Sequence, residues 1–365
     1  MSRPFVSNLG PRPWNSAPAR AFATATLDRL GALAPQAIDA HLHALVDSQQ
    51  RHVNDRCLNL YAGTNIANPR MASLLGSSIG GRPNLGSPGD TYNRGMDAGS
   101  EISLLTAALI GSLFGADFVE TRVPSGSIAN QYVFLATCKP GDAVVAFSRF
   151  QDPLREGAHL MTGSTYKSFG GPPSGMILTN DAMLAERLDA IAYPGFTANF
   201  DLAKTAALGL AALDMHTYGV SYADQCIANA QALARQLAAE GLDVFDVPGR
   251  AGHVDLCGGH PFTVSQHVAL GAAPYGGGSG AARKLEQANI LCSSIGLPRP
   301  PVPYDANGIR LGTQELTRWG LREHEMATVA RLFADALLDR RSSEFVAADV
   351  TAMRRDFSTI HFVTN

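Results

Sequence analysis

Apolar positions near the start of the chain recur at helical spacing, with Leu27, Leu30 and Leu33 followed by Ile38, Leu42 and Leu45. Residues 22–50 therefore read as a helical arm or entry helix suited to packing on a partner subunit. Further along, the spacing predicts helices over 100–114 and 128–137 and strands over 118–122, 143–148 and 176–179. A charged amphipathic helix is expected over 181–191, with Asn180 placed to cap it. Two alanine-rich helices are expected over 203–215 and 222–240. The first, around Leu208, Leu210 and Leu213, is nearly free of polar residues and suits a core or a dimer interface; the second carries Ile227, Leu233 and Leu237 on one stripe.

From Leu242 the pattern changes. Short strands are expected over 242–246, 262–269, 290–294 and 309–312, with helices over 277–288 and 322–340 between them. This is the alternation of a small α/β domain. The run Gly276-Gly277-Gly278 lacks the strand-first and lysine-serine context of a nucleotide loop and reads as a turn before a helix. The chain divides on this reading into a tail and arm helix (1–58), a large domain (59–215) and a C-terminal domain (216–365).

Length and composition change this picture little. A chain of 365 residues with 45% hydrophobic content can bury sizeable cores, and a net charge of −3 without a basic tract argues against nucleic acid. No apolar run reaches the ~18 residues that span a membrane. Five scattered cysteines, without a C-x-x-C pair, point to reduced thiols in the cytoplasm. The histidines, including His41, His43, His253 and His260, lack zinc-like spacing, so no metal is expected. The first two dozen residues have no acid and carry Arg3, Arg12 and Arg20, which reads as a tail rather than a presequence.

Three places carry chemistry. Lys167 follows Gly163-Ser164-Thr165 and precedes Gly170-Gly171-Pro172-Pro173 and the apolar run Met176-Ile177-Leu178. An amine on a glycine-rich loop between strands suits a lysine that bonds covalently to a flat aldehyde cofactor, provided it is desolvated enough to lose its proton. Upstream, Ser125-Gly126-Ser127 opens an apolar helical run, so hydroxyls, backbone N–H groups and the positive helix end can form an anion cup; a plain serine N-cap is the alternative. Downstream, Arg310 lies in a strand among small and apolar neighbours. That arginine is either the bidentate partner of a substrate carboxylate or half of a structural salt bridge.

Taken in order, these motifs resemble the serine hydroxymethyltransferase family of fold-type I pyridoxal phosphate enzymes. The resemblance runs from about Asn59 to the C-terminus. It includes Leu60-Tyr61-Ala62-Gly63-Thr64-Asn65, Gly86-Ser87-Pro88-Gly89 with Tyr92, Leu113-Phe114-Gly115-Ala116, Lys139-Pro140-Gly141-Asp142 and Tyr193-Pro194-Gly195. It implies an α/β fold with a large mixed-sheet cofactor domain, shortened here, and a smaller C-terminal α/β domain. Pyridoxal 5'-phosphate is the implied cofactor, bonded to Lys167 and held at its phosphate by Ser125, Gly126 and Ser127. The loop of Tyr193 and Gly195, reaching over from a neighbour in a homodimer, is implied to help hold the phosphate. Arg310 and Asn65 are implied to bind the amino-acid substrate, with Tyr92 and Tyr166 as candidates for proton relay or phosphate contact. The implied activity is at the α-carbon of glycine, serine or another β-hydroxy amino acid: retro-aldol cleavage, transaldolation or hydroxymethyl transfer.

Departures from the family pattern narrow this. Between the Lys-Pro-Gly-Asp turn and the lysine loop the family carries on the order of two or three further strand–helix units of ~30 residues. Those units hold a ring-stacking histidine and the aspartate that pairs with the pyridine nitrogen, and here Val144-Val145-Ala146-Phe147 runs almost directly into Phe150-Gln151-Asp152. Asp152 is the nearest carboxylate. Leu85 stands at the position of the family's acid–base glutamate and cannot exchange protons, which counts against tetrahydrofolate. Tyr166 replaces a histidine, and Ala198-Asn199 replace a glycine pair. A folate-dependent hydroxymethyltransferase and a catalytically impaired cofactor-binding homologue stay open as alternatives.

Overall fold

The computed structural model describes residues 12–142, 152–197, 199–246 and 262–365, in two compact units divided after Cys57. The expected strand over 143–148, Phe150, Gln151, Ala198, His253, His260 and Cys257 lie outside the described residues.

The first unit is helical. It forms α1 (Ala17–Gly31) and α2 (Pro35–Arg51) rather than one continuous arm. Pro35 explains the break: its ring lacks a donor and disfavours helical backbone at the preceding residue, yet suits the first helical position. Ser16 caps α1 by accepting from the Ala19 N–H at 3.4 Å. Neither helix contains a buried residue, and Phe22, Leu42, Leu45 and Val46 are exposed.

The second unit, Leu58 to Asn365, begins with β1 (Leu58–Asn59), α3 (Met71–Leu75) and a short hairpin of β2 (Gly86–Ser87) and β3 (Asp90–Thr91). Next come α4 (Asp97–Phe114), β4 (Phe118–Val123), α5 (Gly126–Thr137), β5 (Leu160–Ser164), β6 (Gly175–Thr179) and α6 (Ala182–Ala190). Among the described residues β4, β6 and β5 form an antiparallel sheet in that order. The fully buried central strand, Gly175–Thr179, has the unbroken apolar character of a strand covered on both faces. β5 was not foreseen, because its Thr162-Gly163-Ser164 end lacks the β-branched apolar signal.

Two helix expectations are corrected. Asp181, not Asn180, caps α6, its Oδ1 accepting from Met183 N at 2.8 Å and Leu184 N at 3.1 Å. Asn180 instead ties the end of α4 to β4, accepting from Asp117 N and donating to Gly115 O. The two alanine-rich helices are one, α7 (Leu202–Ala239), 38 residues long. No proline interrupts 216–221, and one helical glycine, Gly219, costs only about 1 kcal/mol, too little to end a helix packed along its length. α7 buries Ala207, Leu208 and Ala211 against α4 and β6, and farther on Ala230, Leu233 and Leu237 in a second core. The boundary between residues 215 and 216 falls inside it.

That second core is closed by β7 (His267–Gly271), α8 (Gly278–Glu286), β8 (Ile290–Leu291), β9 (Ser293–Ile295), β10 (Gly308–Gly312), α9 (Gln314–Arg318), α10 (Met326–Leu337) and α11 (Ser343–Arg355). β10 lies between β7 and β9, antiparallel to both, while β1 pairs in parallel with β8. The strand expected over 242–246 is reduced to a single bridge, Val244 to Leu270.

Glu315 on α9 is buried, accepting from Asn59 Nδ2 at 2.9 Å. Burial pushes its carboxyl up to about 7, against the opposing Asn59 and Trp319 hydrogen bonds and the charge of Arg354. Between its ordinary 4.5 and 7 the folded chain keeps a proton that the unfolded chain has lost, so stability falls as pH rises through that window. Glu315→Gln is expected to remove on the order of 2–3 kcal/mol of the loss between pH 5 and pH 8. Urea midpoints at both pH values check this; an unchanged pH slope in the variant refutes it.

Candidate active site

Strand alternation creates the site. In β7 and β10 the residues Val268, Leu270, Ile309 and Leu311 are buried in the core, so their neighbours His267, Ala269 and Arg310 occupy the opposite face. The register pairs Arg310 with Ala269 and Gly312 with His267, which makes Arg310 and His267 diagonal neighbours on that face. Arg310 is half-buried, forms no ion pair among the described residues, and has a buried Nε without a partner. The structural salt bridge is thus not made there.

Lys167 sits in the loop from β5 to β6. Thr165 and Phe169 are buried and anchor the loop, while Lys167 itself is exposed and Tyr166 half-buried. The expected desolvation of the amine is not found, because the anchoring side chains flank Lys167 and none of the described residues covers it. Gly170 adopts φ +69°, and a Cβ there would come within 2.7 Å of the Arg318 guanidinium. Only glycine combines that left-handed backbone with so close an approach. Arg318 is fully buried, donates to Ile66 O at 2.9 Å and lies 5.4 Å from the centre of the Tyr222 ring.

The residue after the lysine is held from two sides. Gln266 Nε2 donates to Ser168 Oγ at 2.9 Å, and Asn65 Nδ2 donates to Ser168 O at 3.3 Å and to Tyr222 OH at 2.8 Å. The lysine loop is thereby fastened to β7, the strand beside the one that carries Arg310. Burial pushes the Tyr222 hydroxyl well above its usual range, and the Cys226 thiol up to about 11, so both are neutral donors. The His267 imidazole is held below its ordinary range, first by burial and then by the charges of Arg310 and Lys167. That coupling brings Lys167, Arg310 and His267 into one electrostatic neighbourhood.

Ser125 caps α5, its Oγ accepting from Ile128 N at 3.3 Å. A Cβ at Gly126 would strike Ser164 Oγ, and one at Gly175 would lie 2.5 Å from Ser125 O. The helix start therefore rests directly on the strand ends from which the lysine loop departs. Ser127 is exposed and so is Tyr92, at 79%, which follows β3. Among the described residues neither makes a side-chain contact with Lys167, and Tyr166 makes none with a polar partner. Tyr193 is half-buried and Gly195 exposed, in a turn held by its own chain: Thr197 hydrogen-bonds Tyr132 OH on α5, and Phe196 lies 5.5 Å from the Tyr132 ring. Asp152 pairs with Arg155 at 3.3 Å, not with the site. Gln266, His267, Tyr222 and Arg318 were not foreseen.

The family profile described as serine hydroxymethyltransferase matches residues 36–152 and 143–333, two stretches that meet where the chain is shorter than the pattern. An alpha-methylserine aldolase from Ralstonia sp. is 34% identical over 448 residues, covering 97% of this chain and 100% of that protein. The alignment is longer than the 365-residue chain, so that relative carries internal residues this chain lacks. A serine hydroxymethyltransferase from Methanopyrus kandleri is 30% identical over 88% of this chain and 95% of its own length. The crystal structure of L-threonine transaldolase from Pseudomonas fluorescens in its internal aldimine state superposes with a TM-score of 0.78 at 20% identity, covering 90% of this chain and 94% of that one. The expected fold class is therefore found.

Gln266→Ala should release Ser168 and lower stability by about 1 kcal/mol. Amide exchange across residues 165–171 should accelerate; unchanged protection would show that the bond does not hold the loop.

Proposed function

The chain belongs to the serine hydroxymethyltransferase family, and from that premise we propose that it is a pyridoxal 5'-phosphate enzyme cleaving or forming the Cα–Cβ bond of β-hydroxy amino acids. Aldolase or transaldolase chemistry is preferred to folate-dependent hydroxymethyl transfer. The observation that carries this reading is the buried, unpartnered Nε of Arg310 on the same sheet face as His267 and in the same charge neighbourhood as Lys167. A half-buried guanidinium without a carboxylate is costly, and an amino acid's carboxylate is the partner that its planar fork fits.

The residues present fit the cofactor. Ser127, in the first turn of α5, is exposed, and the N–H groups and positive end of a helix start favour an anion. Ser125, Gly126 and Ser127 would hold the phosphate, helped by the Tyr193–Gly195 turn of a neighbouring subunit, and Lys167 would supply the amine. When bound, the cofactor offers an aldehyde to amines and a ring that accepts the electron pair left on the α-carbon. Arg310 fixes the carboxylate and thereby selects which α-bond stands perpendicular to that ring. Asn65 and Gln266 keep the lysine loop at a fixed height above Arg310 through Ser168. Tyr166 and Tyr92 serve as proton relay or phosphate contacts.

The absence of an acid at Leu85 supports the folate-independent reading, since one-carbon transfer needs a group that exchanges protons there. A cytoplasmic homodimer is the proposed setting, supported by the free thiols of Cys138, Cys226 and Cys292 and by the exposed Leu104 and Leu105 on α4. An arm over 1–58, a cofactor domain over 59–215 and a C-terminal domain over 216–365 remain the proposed organisation.

A catalytically impaired homologue is the second reading, favoured by the internal residues that the chain lacks. Protein incubated with pyridoxal phosphate should gain visible absorbance that Lys167→Ala loses. Arg310→Ala should keep that absorbance but lose about a hundredfold or more in kcat/KM for α-methylserine or threonine cleavage. Absorbance without cleavage of any β-hydroxy amino acid selects the impaired homologue, and stimulation by tetrahydrofolate selects the transferase.

A further inference from the structure

His267 opens β7 on the face that β10 shares with Arg310, directly opposite Gly312. No side chain grows from Gly312, and a Cβ there would collide with Oε1 of Gln314 and with Ala62. That oxygen is itself buried and without a donor. The His267 ring is half-buried and makes neither a hydrogen bond nor an ion pair among the described residues. Its main chain, by contrast, is fixed: His267 N donates to Ser265 Oγ at 3.2 Å, and the preceding Gln266 is bonded through its side chain to Ser168 and through its carbonyl to Thr313 N. A rigidly placed imidazole with an idle ring, beside an arginine with an idle Nε and an acceptor with no donor, is a set of groups awaiting a ligand.

Resting on the functional reading above, we propose that His267 is a specificity-determining residue of the amino-acid site: as a carboxylate docks on Arg310, the His267 ring takes one proton from solvent and becomes a second donor to that carboxylate.

The charges around the ring set the direction. Lys167 from the β5–β6 loop and Arg310 from β10 face it, and both oppose its protonation, as does burial. On the α7 side stand Tyr222 and Cys226, both kept neutral by burial. At the far end of β7, Asp243 is ion-paired with Arg299. No described carboxylate pairs with the ring, so nothing among the described residues offsets the Arg310 charge beside it. An arriving carboxylate offsets the Arg310 charge and adds an acceptor, and both changes favour the imidazolium. The proton balance is simple: one solvent proton is bound by a ring nitrogen as substrate binds, and it is released when product leaves. A zwitterionic amino acid is then favoured over a neutral amine of the same shape by two cations rather than one, and Gln314 Oε1 can accept the second ring N–H.

The test is a histidine-labelled NMR titration of the full chain with pyridoxal phosphate added, the His267 signal being the one absent from His267→Asn. L-serine should raise its midpoint by about one pH unit. In Arg310→Ala the midpoint should already be raised, and serine should move it no further. His267→Asn should raise KM for serine about tenfold at neutral pH with kcat changed less than about threefold. His267→Gln, which keeps a donor but cannot titrate, should recover part of the KM and flatten its pH dependence. A midpoint that ignores both serine and the loss of Arg310, or a His267→Gln profile identical to that of the parent, overturns the proposal. Failure of the functional reading looks different: no visible absorbance would depend on Lys167, and the Arg310→Ala midpoint in the ligand-free chain would still decide whether the two groups are coupled.

Discussion

The site depends on a single five-residue antiparallel register. Because Val268, Leu270, Ile309 and Leu311 must all face the core, the pleat puts His267 and Arg310 together on the other side. A slip of one residue would bury the guanidinium among leucines and turn the leucines outward, so the hydrophobic pattern itself holds the guanidinium in place. Gln266 extends this constraint across the chain. It lies just before β7, and its side-chain amide donates to Ser168 Oγ in the lysine loop. The placement of the lysine loop is thus tied to the same β7–β10 pairing that places Arg310.

On its other side the lysine loop is fixed by close backbone approach together with the Thr165 and Ser174 hydroxyls, which donate to Pro172 O and Val123 O. The start of α5 rests on Ser164, Ser125 O abuts Gly175, and Thr165 N donates to Ser174 O at 3.2 Å. Glycines at 126 and 175 are what permit this approach. The anion cup and the amine are therefore two ends of one packed unit, and a displacement of α5 would be felt at Lys167. Arg318 supports the loop from below, where Gly170 crosses it. A buried cation at that point raises the potential under the loop, which suits a site meant for anions.

How far this was legible from sequence varied with the range of the interaction. Helices over 100–114 and 128–137 and strands over 118–122, 176–179 and 309–312 have strong local signals and fall within α4, α5, β4, β6 and β10. Lys167, Arg310 and Ser125 announced themselves as polar residues in unusual local settings. What stayed hidden is non-local. His267 and Gln266 look like the polar start of an ordinary strand, and only the register with Arg310 and the contact with Ser168 give them meaning. Arg318 reads as a surface arginine on a short helix until its burial is seen. Two helices were expected over 203–215 and 222–240, but α7 runs unbroken because it packs against both cores along its length.

The shortened middle of the chain sharpens the chemical question rather than blurring it. The family profile stops and restarts across residues 143–152, and Asp152 is committed to Arg155. Leu85 cannot move a proton, and the charged groups that act on His267 among the described residues are Arg310 and Lys167. Retro-aldol cleavage asks only that a hydroxyl lose its proton and the α-carbon be held in the right orientation. The proposed carbon–carbon cleavage therefore makes smaller demands on the described side chains than the folate-dependent alternative does.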